Sequence, residues 1–325
     1  MYWHDTAWCG VRGAGVLGLR APVVLFAFNR PELTAQVFAS IRAARPPRLF
    51  LVCDGPRAER EGEAGRCAEV RRIIDAVDWP CEVERNFSEG NLGCRARIAS
   101  GIEWVFSRAE EAIFLEDDTL PDATFFRYCD ELLERYRDDE RVMMVSGHSL
   151  LAAGEAANEA AGASYWFSAH PRIWGWASWR RAWQGYDVTM REWPAFKETL
   201  GWTSRTGEEK GAWGGFFDAV REGTVDTWDA QATLLAWGTG RLSVIPAANL
   251  VVNIGFGAAS TNTRAPAFAG PAAAPMVFPM VHPAAVAGNA PLDARCVRRQ
   301  FGAPMTRMTR MRRLWRRVLT RLGAP

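Results

Sequence analysis

Short apolar runs alternate along the first half of the chain with longer segments in which apolar residues recur every three or four positions. The run Val23-Val24-Leu25-Phe26-Ala27-Phe28 has no polar member, which predicts a strand covered on both faces, as in parallel sheets. It breaks at Asn29-Arg30-Pro31, and Leu33, Val37, Phe38 and Ile41 follow at helical spacing. Leu49-Phe50-Leu51-Val52-Cys53 then predicts a second strand ending at Asp54-Gly55, which completes a βαβ unit. Cys67, Val70, Ile73, Ile74 and Val77 mark the next helix, Cys81 to Glu84 a short strand, and Ile98, Ile102, Val105 and Phe106 a third helix. Ala112-Ile113-Phe114-Leu115 is another buried strand, running straight into Glu116-Asp117-Asp118. Pro121 is expected to open a helix with the stripe Phe125, Phe126, Cys129, Leu132, Leu133 and Tyr136, before a strand over Val142-Met143-Met144-Val145.

This alternation predicts an α/β fold, an open, mainly parallel sheet flanked by helices. Ligands of such sheets bind off the carboxyl ends of the strands, where this chain carries Asn29-Arg30, Asp54 and the acidic triplet. Ten tryptophans crowd between Trp166 and Trp237, so the second half differs in character from the first. From Ala258 to about Pro291 the chain is rich in Ala, Pro and Gly without periodicity, which predicts an extended arm or loop.

Composition excludes more than it selects. A net charge of +2 leaves no global field to recruit nucleic acid. Seven cysteines, an odd number with no CxxC pair, suit a reducing compartment. The first twenty residues lack an apolar core and a cleavage site, and no apolar run reaches the ~18 residues a membrane span needs, so a cytoplasmic location is expected.

The acidic triplet is the strongest chemical signal. Three consecutive carboxylates after a buried strand repel one another and resist burial unless a cation offsets them. Oxygen ligands of this kind suit Mn2+ (or Mg2+), with a diphosphate completing the shell; a solvated turn at a helix start is the alternative. Asp54 is placed to accept from a base N–H or a ribose hydroxyl, and Arg30 to pair with phosphate. Arg95 and Arg97, after Asn91-Leu92-Gly93 at a helix start, are further phosphate candidates. Asp229 is the acid set in the aromatic stretch Thr227-Trp228-Asp229-Ala230-Gln231, where it suits a general base or a helix-capping acid. Trp174, Trp176 and Trp228 offer faces for sugar stacking, or core.

Seven motifs in order give these residues a context. Val24-Leu25-Phe26-Ala27-Phe28-Asn29-Arg30-Pro31, Val52-Cys53-Asp54-Gly55, Asn91-Leu92-Gly93-Cys94, Leu115-Glu116-Asp117-Asp118, Trp174-Gly175-Trp176, Trp228-Asp229 and Asn253-Ile254-Gly255-Phe256-Gly257 together resemble bacterial family-2-like glycosyltransferases related to the N-acetylglucosaminyltransferase I family. The resemblance implies a Rossmann-like GT-A fold and inverting transfer from a nucleotide-sugar, a UDP-sugar, to a glycan or lipid-linked acceptor. It implies Mn2+ at the acidic triplet with Asp118 as principal ligand, Arg30 and Asp54 at donor-binding positions, Arg95 where the family has a His, and Ser260 and Thr261 on a loop over the donor. Together with the residues' own chemistry, the expected site sets Asp118 and Glu116 on the metal and Arg30, Asp54, Arg95, Arg97, Glu116, Asp117, Ser260 and Thr261 around the nucleotide-sugar. Asp229 falls at or beside the base, although those enzymes carry two acids after that Trp and this chain has Ala230 in the second place. Relatives often carry a His where this chain has Asn262.

The expected organisation is an irregular segment over 1–21, a GT-A domain over 22–257 with a nucleotide-sugar half (22–150) and a Trp-rich acceptor half (151–257), an arm over 258–304, and a basic amphipathic helix over 305–325. That helix sets seven arginines among Met308, Met311, Leu314, Trp315, Val318, Leu319 and Leu322. It suits either docking on the domain or peripheral contact with an anionic membrane face. Two rivals are a nucleotidyltransferase, which predicts a lysine near the phosphates, and a non-catalytic glycan- or partner-binding module.

Overall fold

The computed structural model describes residues 18–156, 158–256 and 270–301. The apolar runs become β1 (Val23–Ala27), β2 (Arg48–Cys53), β3 (Glu82–Phe87) and β4 (Glu111–Glu116), joined by α1 (Pro31–Ala44), α2 (Glu63–Ile74) and α3 (Cys94–Phe106). These strands pair in parallel in the order β3-β2-β1-β4. The chain steps from β1 through β2 to β3 and then crosses back to lay β4 on the other side of β1. The carboxyl ends of β1 and β4 therefore flank a topological switch point, where a crevice opens between diverging connections. Right-handed crossovers put α3 on the face opposite α1 and α2.

The remaining elements are β5 (Thr119–Pro121), α4 (Phe125–Arg135), β6 (Val142–Ser146), β7 (Tyr165–Ser168), β8 (Trp176–Trp179), α5 (Trp193–Phe196), α6 (Leu200–Thr203), α7 (Gly207–Arg221), α8 (Asp229–Thr239), β9 (Leu242–Pro246), β10 (Val251–Asn253) and α9 (Ala290–Phe301). They extend one sheet to the order β3-β2-β1-β4-β8-β6-β9-β7. β8 runs antiparallel between β4 and β6, β9 lies parallel to β6, and β7 closes the edge antiparallel. The α/β class and the mainly parallel sheet match the sequence expectation. The insertion of β8 was not expected, because Trp-Gly-Trp-Ala-Ser-Trp lacks strand periodicity. Its strand state comes from distant partners: Trp176 stacks on Phe114 with ring centroids 4.0 Å apart, and Ser178 Oγ donates to Met143 O at 2.7 Å.

Two local expectations need correction. Pro121 does not open a helix; it ends β5, which pairs only with the short β10, so its missing N–H costs no central ladder bond. α4 begins at Phe125, after a turn in which Asp122 accepts from Thr124 N at 2.8 Å. Within the presumed arm, Ala290–Phe301 is helical, burying Leu292, Cys296 and Val297. Asp293 fixes that helix to β7 by accepting from Ser168 Oγ at 2.5 Å and from Ala169 N at 3.0 Å. Cysteines 53, 67, 81, 94, 129 and 296 are free thiols, and no helix among the described residues is long and apolar enough to cross a membrane. The basic segment 305–325 lies outside the described residues.

Candidate active site

The switch point gathers Arg30, which follows β1, and Glu116-Asp117-Asp118, which end β4. Arg30 is drawn into the acids: Nη1 donates to Asp118 Oδ2 at 2.9 Å and Nη2 donates to Asp117 Oδ1. Phe28 N donates to the other Asp117 oxygen at 3.2 Å, so Asp117, 3% exposed, has both oxygens engaged within the protein. Burial alone would lower the Arg30 pKa, but Asp117 and Asp118 together hold it above the ordinary arginine value. The sequence reading gave Arg30 to phosphate and Asp117 to the donor; the structure pairs them with each other.

Glu116 is half-buried, and burial followed by repulsion from Asp118 and Asp117 pushes its carboxyl well above the usual range, with a further contribution from Asp229. Three carboxyl groups thus meet a single guanidinium, and their mutual repulsion goes only partly relieved. β10 brings a wall against the cluster. Ile254 N donates to Asp118 O at 2.8 Å, and a Cβ on Gly255 would fall 2.5 Å from Asp118 Oδ2 and 2.9 Å from Arg30 Nη1. Only a glycine lets the backbone come this close.

Asp54 is not free to read a nucleotide. Oδ1 accepts from Gly55 N and Leu92 N, each at 2.9 Å, and Oδ2 accepts from Asn91 Nδ2 at 2.9 Å and Gly93 N at 3.1 Å. Four donors fill the acceptor sites of a carboxylate, so Asp54 instead shapes the turn that launches α3. Gly93 adopts φ 81° at the head of that helix, a left-handed conformation that favours glycine. Arg97 is likewise removed from the crevice: 5% exposed, it donates from Nε to Cys53 O at 3.1 Å and from Nη2 to Asn86 O at 2.5 Å, tying β2 to β3. Arg95 donates from Nη2 to Val225 O at 2.5 Å. The first backbone N–H groups of α3 are capped by Asp226, with Cys94 N at 3.0 Å and Arg95 N at 3.3 Å.

These contacts bind the loop before α8 to the start of α3 and so set Asp229. Asp229 opens α8, half-buried, and accepts a hydrogen bond from Thr227 Oγ1 on Oδ1. Burial raises its pKa against the lowering effect of that bond. Tyr186 braces the same turn by donating to Trp228 O at 2.9 Å. Cys94 lies among the same carboxylates; burial, then Glu116, Asp229, Asp226 and Asp118, hold its thiol protonated. Thr227, Asp226, Tyr186 and Cys94 were missed by sequence reasoning, which has no rule for residues that serve an acid from another segment.

The tryptophans divide. Trp176 and Trp228 are each 2% exposed, packed with centroids 5.6 Å apart beside Trp183, so they are core and present no face to a sugar. Trp174 is half-buried at the site's edge between His148 and Phe256, with centroids 4.4 and 5.5 Å away. Ser260 and Thr261 lie outside the described residues.

No three His, Cys, Asp or Glu side chains among the described residues are grouped to hold a metal by themselves. The chemistry of the donor set is nevertheless of the kind a divalent cation takes: Glu116 and Asp118 offer half-buried carboxylate oxygens, and the repulsion that pushes Glu116 up is what a cation would relieve. Such an ion would complete its shell with ligand oxygens.

Comparison with known proteins adds little. No protein-family model matches the chain, and no curated protein matches it. Among solved structures it is similar to a mannosyltransferase from Pyrobaculum calidifontis described in complex with GDP-Man and Mn2+, at 13% identity and TM-score 0.34, over 52% of this chain and 48% of that one. This chain thus covers about half the length of that enzyme. It is similar to a UDP-glucose pyrophosphorylase described with UDP-glucose at 9% identity and TM-score 0.27, covering 47% and 63% of the two chains. A 4-diphosphocytidyl-2C-methyl-D-erythritol synthase from Anaerococcus prevotii DSM 20548 gives 6% identity and TM-score 0.29, covering 67% and 97%. Likenesses this distant carry no argument about activity.

Proposed function

We propose that the chain is an inverting, metal-dependent glycosyltransferase of the GT-A type. It moves a sugar from a nucleotide-sugar, by motif resemblance a UDP-sugar, to a hydroxyl of a glycan or lipid-linked acceptor. The observation that carries this reading is the excess of half-buried carboxylate, Glu116, Asp118 and Asp229, at the switch point of a β3-β2-β1-β4 sheet. Stability alone opposes such a cluster; a cation bound with a diphosphate accounts for it.

Glu116 and Asp118 would hold Mn2+ (or Mg2+), which when bound neutralises the charge that builds on the leaving diphosphate. Asp229 stands across from them as base. Thr227 holds its carboxylate through Oδ1, and that carboxylate takes the acceptor's proton as the hydroxyl oxygen attacks the anomeric carbon opposite the breaking sugar–diphosphate bond. Burial raises the Asp229 pKa, which makes its carboxylate a stronger base. Trp174 and Phe256 line the edge of the site, where the acceptor sugar would lie. The two lysines are committed elsewhere, Lys197 to Asp218 at 3.2 Å and Lys210 to Thr203 O at 2.5 Å, which weighs against a nucleotidyltransferase.

The test is calorimetric titration with UDP, GDP and TDP, with and without Mn2+, for wild type and Asp118→Ala. Binding of one nucleotide that needs Mn2+ and is lost in the variant supports the reading; absence of binding by all three refutes it.

A further inference from the structure

Arg30 is hydrogen-bonded to Asp118, the acid proposed above as the principal metal ligand. Asp118 offers its Oδ2 to Arg30 Nη1 at 2.9 Å, and the close approach of Gly255 walls in both atoms. An ion that adds to Asp118 meets the guanidinium charge across a single carboxylate, in a half-buried setting where water screens poorly. The guanidinium is also tied to Asp117, a buried carboxylate that it cannot leave without an exchange. A diphosphate supplies that exchange, since its oxygens match the guanidinium fork as well as a carboxylate does.

We propose that Arg30 is an internal counter-cation which keeps the divalent ion off Asp118 until a nucleotide diphosphate draws it away, so that metal and donor bind together. This inference rests on the nucleotide-sugar reading above. Its consequence is thermodynamic coupling: nucleotide tightens Mn2+ binding, and by reciprocity Mn2+ tightens nucleotide binding by the same factor. Without Arg30 the ion should bind unaided, and the factor should shrink. Arg30→Lys keeps the charge but loses the fork that spans Asp117 and Asp118, and should give an intermediate factor.

The experiment is Mn2+ titration of the full chain, with free Mn2+ read from its electron paramagnetic resonance signal, with and without UDP, GDP or TDP. The proteins are wild type, Arg30→Gln, and Arg30→Gln combined with Asp117→Asn, which removes the buried charge along with its partner in case the single variant does not fold. We expect weak Mn2+ binding by wild type alone, tightened at least ~10-fold by one nucleotide, and variants that bind Mn2+ alone at least ~10-fold more tightly than wild type, with the nucleotide effect reduced to match. Variants with wild-type Mn2+ affinity and an unchanged nucleotide effect would overturn the proposal and leave the donor reading standing. Wild type that binds no Mn2+ with any nucleotide overturns both.

Discussion

Asp54→Asn separates a structural carboxylate from a ligand-reading one. The carboxylate receives four hydrogen bonds, three of them from Asn91, Leu92 and Gly93, residues 37 to 39 positions away. An asparagine oxygen can keep the pair on one side, but its NH2 then faces two donors. Charge-assisted bonds contribute roughly 1.5–3 kcal/mol each, and two are lost. Asp54 is itself 5% exposed, but the 91–93 turn that donates to it is half-buried to exposed, so water can satisfy part of what the turn loses. A net loss of about 2–4 kcal/mol follows, a large share of the stability of an ordinary domain. Urea unfolding followed by tryptophan fluorescence should show a lower midpoint with an unchanged slope. If the midpoint stays at the wild-type value while nucleotide affinity falls, the structural role of Asp54 is wrong and the sequence reading of it was right.

Three further substitutions probe the site and its support. Trp176→Ala should destabilise by about 3–5 kcal/mol in the same unfolding assay, since the ring is core; a raised acceptor KM at unchanged stability would contradict this. Gly255→Ala should leave the melting temperature within a few degrees of wild type but weaken Mn2+–nucleotide binding at least ~10-fold by calorimetry, because its Cβ would press on Asp118 and Arg30. Burial raises the pKa of Asp229, so the rate should climb with pH through a limb lying above the ~3.9 of free aspartate. Asp229→Asn should remove that limb, lower kcat about 100- to 10,000-fold, and melt no lower than wild type near neutral pH, because the fold favours the protonated form.

Much of the frame was readable because parallel strands buried on both faces are uniformly apolar, and the polar residues that stop them fall at the carboxyl ends. That logic picked out Arg30, Asp54 and the acidic triplet; Asp229 was picked out as the acid in an aromatic stretch. It did not give their partners, since Arg30 meets acids 87 and 88 residues away and hydrogen-bond geometry across such separations leaves no local trace. β8 escaped notice for the same reason, its strand state being decided by Phe114 and Met143. Arg97 is a different case. It shares a helix face with Gly101 and Val105, the buried face of α3, so its inward direction was available from spacing had position at the helix start not been weighed more heavily. Trp176 and Trp228 likewise follow the ordinary tendency of indoles to be buried.

The central claim is sugar transfer from a nucleotide-sugar, and the most direct measurement is product analysis by mass spectrometry after incubation with a panel of UDP-, GDP- and TDP-sugars and Mn2+, beside nucleoside triphosphates with sugar 1-phosphates. The account predicts release of a nucleoside diphosphate from one nucleotide-sugar, abolished in Asp118→Ala and strongly slowed in Asp229→Asn. Release of pyrophosphate from a triphosphate, with every nucleotide-sugar left intact, would contradict it.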